Sequence, residues 1–205
     1  MPEKNQIDKR ERILAAAVKV FAENGFHNSK VSEIAKKAKV ADGTIYLYFK
    51  NKDDILISLF ELSLTLLINN VVNAIKAVSD PIEKLRMFIR MHLQTVEQNP
   101  GFAEVMQVEL RQSHKFMKEY VPERLAEYLN IISDIIEEGK RGGLIKPEIH
   151  PALFKRALFG AMDEIALHWV LIKRQRRKAY ELSDSAERLC NIFIAGISSS
   201  PSPKK

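Results

Sequence analysis

The sequence predicts an all-α protein, and three observations support this fold class. Apolar residues recur with the 3.6-residue period of a helix through nearly the whole chain. Glycine and proline are sparse, with 8 of each in 205 residues. No run alternates apolar and polar side chains in the manner of a strand. The chain is long enough for its helices to bury a sizeable core.

The first three helices are expected to form one small unit. Apolar residues follow a helical period from Asp8 to Asn24, and Gly25 supplies a stop. Ser29 can cap a short second helix, and a third short segment runs from Asp42 to Phe49. Because helices of about two turns cannot bury an apolar face alone, these must pack on the first helix. This arrangement predicts a helix-turn-helix unit.

Positive charge is concentrated in this unit. Residues 1–52 contain 11 Lys/Arg and 6 Asp/Glu, whereas residues 53–205 contain 21 and 20. The overall formal charge is +6. A basic module attached to a nearly neutral body is typical of a nucleic-acid-binding protein.

The second helix of a helix-turn-helix pair lies in the DNA major groove. We therefore expect Tyr46 and Tyr48 to contact DNA, while Ile45 and Phe49 face inward. The alternative is that both tyrosines are half-buried braces. Asp42 has two interpretations, a helix N-cap or an acceptor for a cytosine amino group, and the N-cap is favoured.

The stretch from Arg12 to Leu56 resembles the DNA-binding region of TetR-family repressors. The matching positions are Gly25, Phe26, Ile34, Ala35, Val40, Gly43, Thr44, Tyr46, Tyr48, Phe49, Lys52 and Leu56. Where the family often has paired threonines, this chain has Ser29 and Lys30, and Ala41 replaces a small hydroxyl residue. The resemblance implies DNA contacts from Ser29, Lys30, Asp42, Gly43, Thr44, Tyr46, Tyr48 and Lys52, with Lys52 on a phosphate.

Six further helices are predicted in the body. They span about 55–78, 81–97, 102–112, 122–138, 151–172 and 183–197, which makes nine helices in all, as the resemblance implies. The predicted domains are a DNA-binding domain at 1–52 and a ligand-binding and dimerisation domain at 53–198. Residues 199–205 are predicted to be a disordered tail.

The resemblance also implies a homodimer, because two DNA half-sites about 34–36 Å apart require two heads. In the family, the last two long helices form the dimer surface. Here they carry Leu153, Leu158, Phe159, Ala161, Ile165, Leu167, Trp169, Leu189, Ile192, Phe193 and Ile197. Such stripes could equally be core within one chain.

Within that family, the blocks "QVELRQS" and "FGAMDEIALHWVL" look like the FadR-type regulators that respond to fatty acyl-CoA. The resemblance implies a repressor of fatty-acid metabolism genes that leaves operator DNA when a long-chain acyl-CoA binds. Candidate ligand residues are Met87, Met91, Phe102, Met106, Leu110, Arg111 and Trp169. An ordinary core would look the same, and Arg111 could instead pair with a carboxylate. The alternative function is a multidrug-sensing repressor of an efflux pump.

An enzyme is not expected, since no nucleophile motif, P-loop or glycine-rich dinucleotide turn is present. A metal site at Asp163, Glu164 and His168 is less expected than polar contacts at an interface, and no cofactor is predicted. The run Lys173–Lys178 could attract CoA phosphates or, as favoured, form a solvated loop. A polar N-terminus without a signal peptide, and the lack of an uninterrupted apolar span, predict a cytoplasmic protein.

Overall fold

The computed structural model describes residues 2–120, 123–175 and 180–199, and it confirms the all-α fold class within them. A π-helical segment, Val105–Glu109, and a 3-10 turn, Leu110–Gln112, lie between the sixth and seventh helices. The α-helices are α1 Pro2–Asn24, α2 Val31–Ala38, α3 Asp42–Ile45, α4 Lys52–Ile75, α5 Pro81–Gln98, α6 Pro100–Glu104, α7 His114–Lys118, α8 Glu123–Arg141, α9 Pro151–Arg174 and α10 Leu182–Ile197.

The region between α5 and α8 differs from the expected single helix at 102–112. The α-helical part ends at Glu104 and gives way to the π-helical segment and the 3-10 turn. The extra helix α7 begins because Ser113 has an extended backbone and its hydroxyl accepts the Phe116 amide at 3.1 Å. The count of nine helices was therefore one too low for the described chain.

The third helix is also shorter than expected. It ends at Ile45 rather than Phe49, and the chain continues in turns in which the Leu47 and Tyr48 amides donate to Thr44 and Ile45. The α-helical geometry is therefore confined to a single turn, although the following residues stay compact.

The chain divides into two compact units, residues 1–63 with 99–121 and residues 64–98 with 122–205. The predicted division at 52/53 follows function rather than compactness and stays a prediction. Of the predicted tail, Ser199 donates its amide to the Leu144 carbonyl at 3.0 Å. Residues 200–205 lie outside the described chain, as do residues 176–178 of the basic run.

The first unit has a continuous apolar core to which α1, α2, α3, the start of α4 and the segment after α6 all contribute. Ile45 and Phe49 are buried, which confirms that they face inward. Val105 and Leu110 complete the same core. The helix-turn-helix residues therefore share their hydrophobic core with the segment 99–121.

The second unit is built around α5, which packs against α8, α9 and α10. At its centre the Tyr128 ring stacks on Phe88 at 4.7 Å, and the Tyr128 hydroxyl lies 3.0 Å from His92 Nδ1. The Glu97 carboxylate accepts the Leu182 amide at 2.8 Å. This bond begins α10 at Leu182, one or two residues before the expected start at Ser183 or Asp184.

The predicted dimer stripe of α9 and α10 is divided by the fold. Leu158, Trp169 and Leu189 are buried within the chain, whereas Phe159 and Phe193 are half-buried. Leu153 and Ile192 are each 69% exposed. A Cβ atom added at Gly160 or Gly196 would meet nothing within 4 Å. These exposed positions leave an apolar surface with room for close helix approach.

Helix α4 is long and apolar enough to cross a membrane by length and composition alone, and a third of its most apolar stretch is buried. A single such helix is weak evidence, because core helices of soluble proteins meet the same criterion. The sequence predicts no membrane span on a stricter criterion, an uninterrupted run of about 18 apolar residues, which no stretch of the chain meets.

The buried His92 makes stability depend on pH. Burial lowers its pKa from 6.5 to about 4, against a smaller opposing effect of Asp163. The unfolded chain therefore binds a proton between pH 6.5 and 4 that the folded chain excludes. We expect stability to fall by about 3 kcal/mol across this window. Urea unfolding at several pH values would measure the fall.

The control is His92→Gln, which removes the titrating group. Its stability should change less steeply between pH 6.5 and 4 than that of the wild type. Equal slopes in the two proteins would rule out His92 as the source.

Candidate nucleic-acid interface

The turn between α2 and α3 is held by backbone geometry and one arginine. Lys39 ends α2 in the left-handed conformation, with φ at 57°, and the Val40 amide donates to the Ala35 carbonyl at 3.0 Å. The Arg12 guanidinium of α1 donates to the Ala38 carbonyl at 2.7 Å. These contacts fix the direction of the chain between α2 and α3. Such a tight turn is what the helix-turn-helix prediction requires.

The outer side of α3 and the following turn is exposed. Tyr46 is 59% exposed and Leu47 is 80% exposed, whereas Thr44 and Tyr48 are half-buried. A Cβ atom at Gly43 would meet no heavy atom within 4 Å, so the backbone there is open to a partner. The brace interpretation is wrong for Tyr46. Tyr48 does pack partly against the core.

Leu47 was not among the residues expected at the interface. The sequence did contain an indication of its exposure. Leu47 is apolar, lies between two tyrosines and does not share the helical face of Ile45 and Phe49, which point inward. A large apolar side chain with this exposure, next to Tyr46, is suited to contact with a thymine methyl group.

Asp42 does not cap α3. The N-cap position is Ala41, which has no side-chain acceptor, and Asp42 is the first residue of the helix. Its exposed carboxylate lies near the positive end of the helix dipole, which favours a negative charge there. The favoured N-cap interpretation of Asp42 is therefore wrong.

Ser29 and Lys30 occupy different environments at the start of α2. The Ser29 side chain is 3% exposed and its hydroxyl lies 2.6 Å from the Gly25 carbonyl oxygen. Lys30, rather than Ser29, is the N-cap residue, and its amide donates to Glu33 Oε2 at 2.9 Å. The expected cap at Ser29 is wrong, and the buried hydroxyl presents no surface for a partner. The Lys30 side chain is exposed.

Lys52 differs most from expectation. Its ammonium group donates to the carbonyl oxygens of Phe26, His27 and Ser29 at 2.6, 3.0 and 3.0 Å. It also lies 4.6 Å from the centre of the Phe26 ring. Desolvation lowers the pKa of the lysine, with an opposing effect from Asp53. Since an ammonium group has three donors, all are used inside the protein, and the expected phosphate contact has none left.

The candidate ligand residues fall into both compact units. In the first unit, Leu110 is buried while Phe102 and Met106 are half-buried, and all three pack against the core of the helix-turn-helix. Arg111 is exposed, and its guanidinium donates to the Gln107 carbonyl and, at 3.0 Å, to Gln107 Oε1. Of the candidate ligand residues in this unit, Leu110 therefore agrees best with the alternative that they are ordinary core residues.

In the second unit, Met87 and Met91 are half-buried on α5. Met91 lines a cavity of about 360 Å³. Trp169 is 1% exposed and its indole donates to the Tyr180 carbonyl at 3.0 Å. The cavity is otherwise lined by polar residues, namely Asn70, Asn73, Gln94, Thr95 and Gln98.

The segment considered for a metal shows polar contacts instead. The imidazole of His168 lies 3.2 Å from the Tyr180 hydroxyl and stacks on its ring. Among the described residues, no group of three or more His, Cys, Asp or Glu could hold a metal ion.

The three bonds of Lys52 give a stability prediction. Lys52→Met should lower the free energy of unfolding by about 2 kcal/mol, because charge-assisted bonds to three carbonyls are lost in a partly exposed place. Lys50→Met is the matched control, since Lys50 is exposed two residues away. Denaturant unfolding measures both. If both variants unfold at the same denaturant concentration, the bonds of Lys52 do not support the fold.

Comparison with known proteins extends over nearly the whole chain. Residues 13–59 match the family described as bacterial regulatory proteins of the tetR family, and residues 60–196 match the YsiA-like protein C-terminal region. The fatty acid metabolism regulator protein of Bacillus subtilis (strain 168) is 40% identical over 194 residues, covering 95% of this chain and 98% of that protein.

Two solved structures are similar at the same level. One is the transcriptional regulator FadR from Bacillus subtilis in complex with stearoyl-CoA, with a TM-score of 0.84 and 41% identity, covering 91% of this chain and 98% of that one. The other is the fatty acid degradation regulator FadR from Bacillus halodurans, with a TM-score of 0.85 and 36% identity over 92% and 95%. The chain therefore belongs to the TetR family of bacterial regulatory proteins and is similar within it to the FadR-type regulators of fatty acid metabolism.

Proposed function

We propose that this protein is a transcriptional repressor that binds operator DNA as a homodimer and leaves it when a long-chain fatty acyl-CoA binds. The observation that carries the proposal is the 40% identity, over 95% of the chain, with a fatty acid metabolism regulator. A similar structure with bound stearoyl-CoA supports the class of effector. Such a regulator acts in the cytoplasm and has no enzymatic step.

The proposed DNA surface is the exposed side of α3 with the start of α2. It consists of Lys30, Asp42, Gly43, Thr44, Tyr46 and Tyr48, to which the exposure of Leu47 adds one residue. The side chains of Ser29 and Lys52 are left out because their polar groups are used within the fold. The exposed Lys50 supplies a positive charge for a phosphate in place of Lys52.

The proposed dimer uses the exposed apolar surface of α9 and α10. Leu153 and Ile192 lose solvent on pairing, while Gly160 and Gly196 allow the helices of two subunits to come close. Two copies are required because a two-fold operator presents its half-sites one helical turn apart.

The proposed effector residues are Met87, Met91, Phe102, Met106, Leu110, Arg111 and Trp169. Methionine side chains adapt to a flexible acyl chain, and the Arg111 guanidinium suits a phosphate of CoA. The burial of Leu110 and Trp169 means that they contribute only if the core rearranges around a ligand. The single tryptophan of the body and its basic run at 173–178 favour an anionic ligand over the cationic drugs of the efflux-pump alternative.

Tyr46 provides a test of the DNA surface. Tyr46→Ala should weaken operator binding about ten-fold, because a single recognition contact contributes about 1–3 kcal/mol. Tyr46→Phe separates the hydroxyl from the ring, and both variants should keep the wild-type thermal midpoint, since the side chain is exposed. A gel-shift titration on a footprinted operator measures the change. Wild-type affinity in Tyr46→Ala would exclude the contact.

A thermal-shift panel tests the effector. Palmitoyl-CoA at about 100 times its dissociation constant should stabilise the protein by about 2.7 kcal/mol and raise its unfolding midpoint by several degrees. Free palmitate and a cationic dye are the comparison ligands. Palmitoyl-CoA should also abolish the operator footprint. Stabilisation by the dye alone would favour the efflux-pump alternative.

A further inference from the structure

The segment that contains the π-helix makes a buried polar contact with the turn before α2. The Phe26 amide donates to Glu109 Oε2 at 2.6 Å, and the Glu109 side chain is only 2% exposed. Gly25, with φ at +77°, turns the chain so that this amide points at the carboxylate. A Cβ at Gly25 would lie 3.5 Å from the same oxygen. The fit of the turn to Glu109 is therefore close.

A second contact joins the same segment to the start of α4. The Ser113 hydroxyl donates to Asp53 Oδ1 at 2.6 Å. Asp53 follows Lys52, whose ammonium holds the Phe26 carbonyl. A closed ring of contacts results, running from Glu109 through Phe26, Lys52 and Asp53 to Ser113. We call this ring the latch.

In the sequence, two parts of the latch flank α2 and α3. Residues 31–49, which include α2 and α3, leave the turn at Phe26–Ser29 and return to α4 at Lys52. Lys52 connects the turn before α2 with the start of α4. Glu109 contacts the turn through the Phe26 amide, and Ser113 contacts the start of α4 through Asp53. The position of α3 in the head thus depends on a segment that lies about 60 residues further along the chain.

From these contacts we infer that Glu109 is a positioning residue for DNA binding, and that the segment Val105–Ser113 is the regulated part of the head. The inference rests on the proposed function and deepens it. Glu109 acts through the Phe26 amide and does not itself touch DNA. With the latch closed, the head has the geometry that binds the operator; with the latch open, it does not.

The π-helix provides the two states that such a device needs. Residues 105–109 form i→i+5 bonds, which accommodate one residue more than α-helical bonding and are uncommon outside functional segments. Conversion of this turn to α-helix shifts the following residues by one position, or about 100° around the axis. That rotation takes the Glu109 carboxylate away from Phe26.

The position of the proposed effector residues favours regulation here. Phe102, Met106, Leu110 and Arg111 lie on this segment or within three residues of it. An acyl-CoA that contacts them acts directly on the element that carries Glu109. By linkage, the bound effector and the closed latch then oppose each other.

The test uses full-length Glu109→Ala, with Glu119→Ala as the control because Glu119 is an exposed carboxylate in the same unit. Glu109→Ala should weaken operator binding about ten-fold and tighten palmitoyl-CoA binding, because it favours the open latch. Glu119→Ala should change neither affinity. A merely structural role for Glu109 predicts that both affinities fall, and that outcome would overturn the inference, as would wild-type operator affinity in Glu109→Ala.

A second measurement needs no variant. In protein labelled with ¹⁵N-phenylalanine, palmitoyl-CoA should raise the hydrogen-exchange rate of the Phe26 amide about ten-fold. The Phe49 amide, which donates to the Ile45 carbonyl at 3.0 Å, is the internal control and should not change. Equal protection of Phe26 with and without palmitoyl-CoA would show that the latch stays closed.

Two further outcomes separate the inference from the proposed function. If wild-type protein binds no palmitoyl-CoA, the effector proposal fails, and operator affinity in Glu109→Ala decides the latch alone. If Glu109→Ala does not fold, Asp53→Ala takes its place, because it removes the acceptor of the Ser113 bond and leaves Glu109 and the Ser113 cap of α7 intact. Asp53→Ala should weaken operator binding in the same direction, and unchanged affinity would count against the latch.

Discussion

The structure of the DNA-binding head depends on one cation placed on three carbonyl oxygens. The Lys52 ammonium binds the carbonyls of Phe26, His27 and Ser29 and lies over the Phe26 ring. A lysine loses hydration when it is partly buried, and these three bonds replace it. The contact joins the start of α4 to the turn before α2. Everything between those points, including the proposed recognition helix α3, is held at both ends.

The carboxylates around this cation extend the same constraint. Glu109 binds the Phe26 amide and Ser113 binds Asp53, so a segment remote in sequence completes the head. The apolar core agrees with the polar contacts, since Val105 and Leu110 pack among the helix-turn-helix residues. The compact unit is therefore larger than the three-helix module. In the inferred regulation, these contacts carry a change in the segment to α3 while both elements stay folded.

Much of this architecture could be read from the residues. The all-α fold, the inward positions of Ile45 and Phe49 and most helix bounds follow from apolar periodicity, which depends only on neighbours three and four positions apart. The short helix α7 was missed because Ser113, which directly follows the predicted helix at 102–112, was not recognised as the cap of another helix. The dimer stripe could not be divided into core and surface, because periodicity gives the apolar face of a helix but not what covers it.

The sequence alone determined the fold class, the family and the surface of α3, because these depend on local spacing and on a motif with a dozen positions. The tertiary structure decided the partners of polar groups. By its chemistry alone, Lys52 could bind a phosphate, Ser29 could cap a helix and Glu109 could remain in solvent. The fold decides their partners by bringing a carbonyl or amide group within about 3 Å, and for Lys52 and Glu109 those groups belong to residues 23 to 83 positions away in the chain.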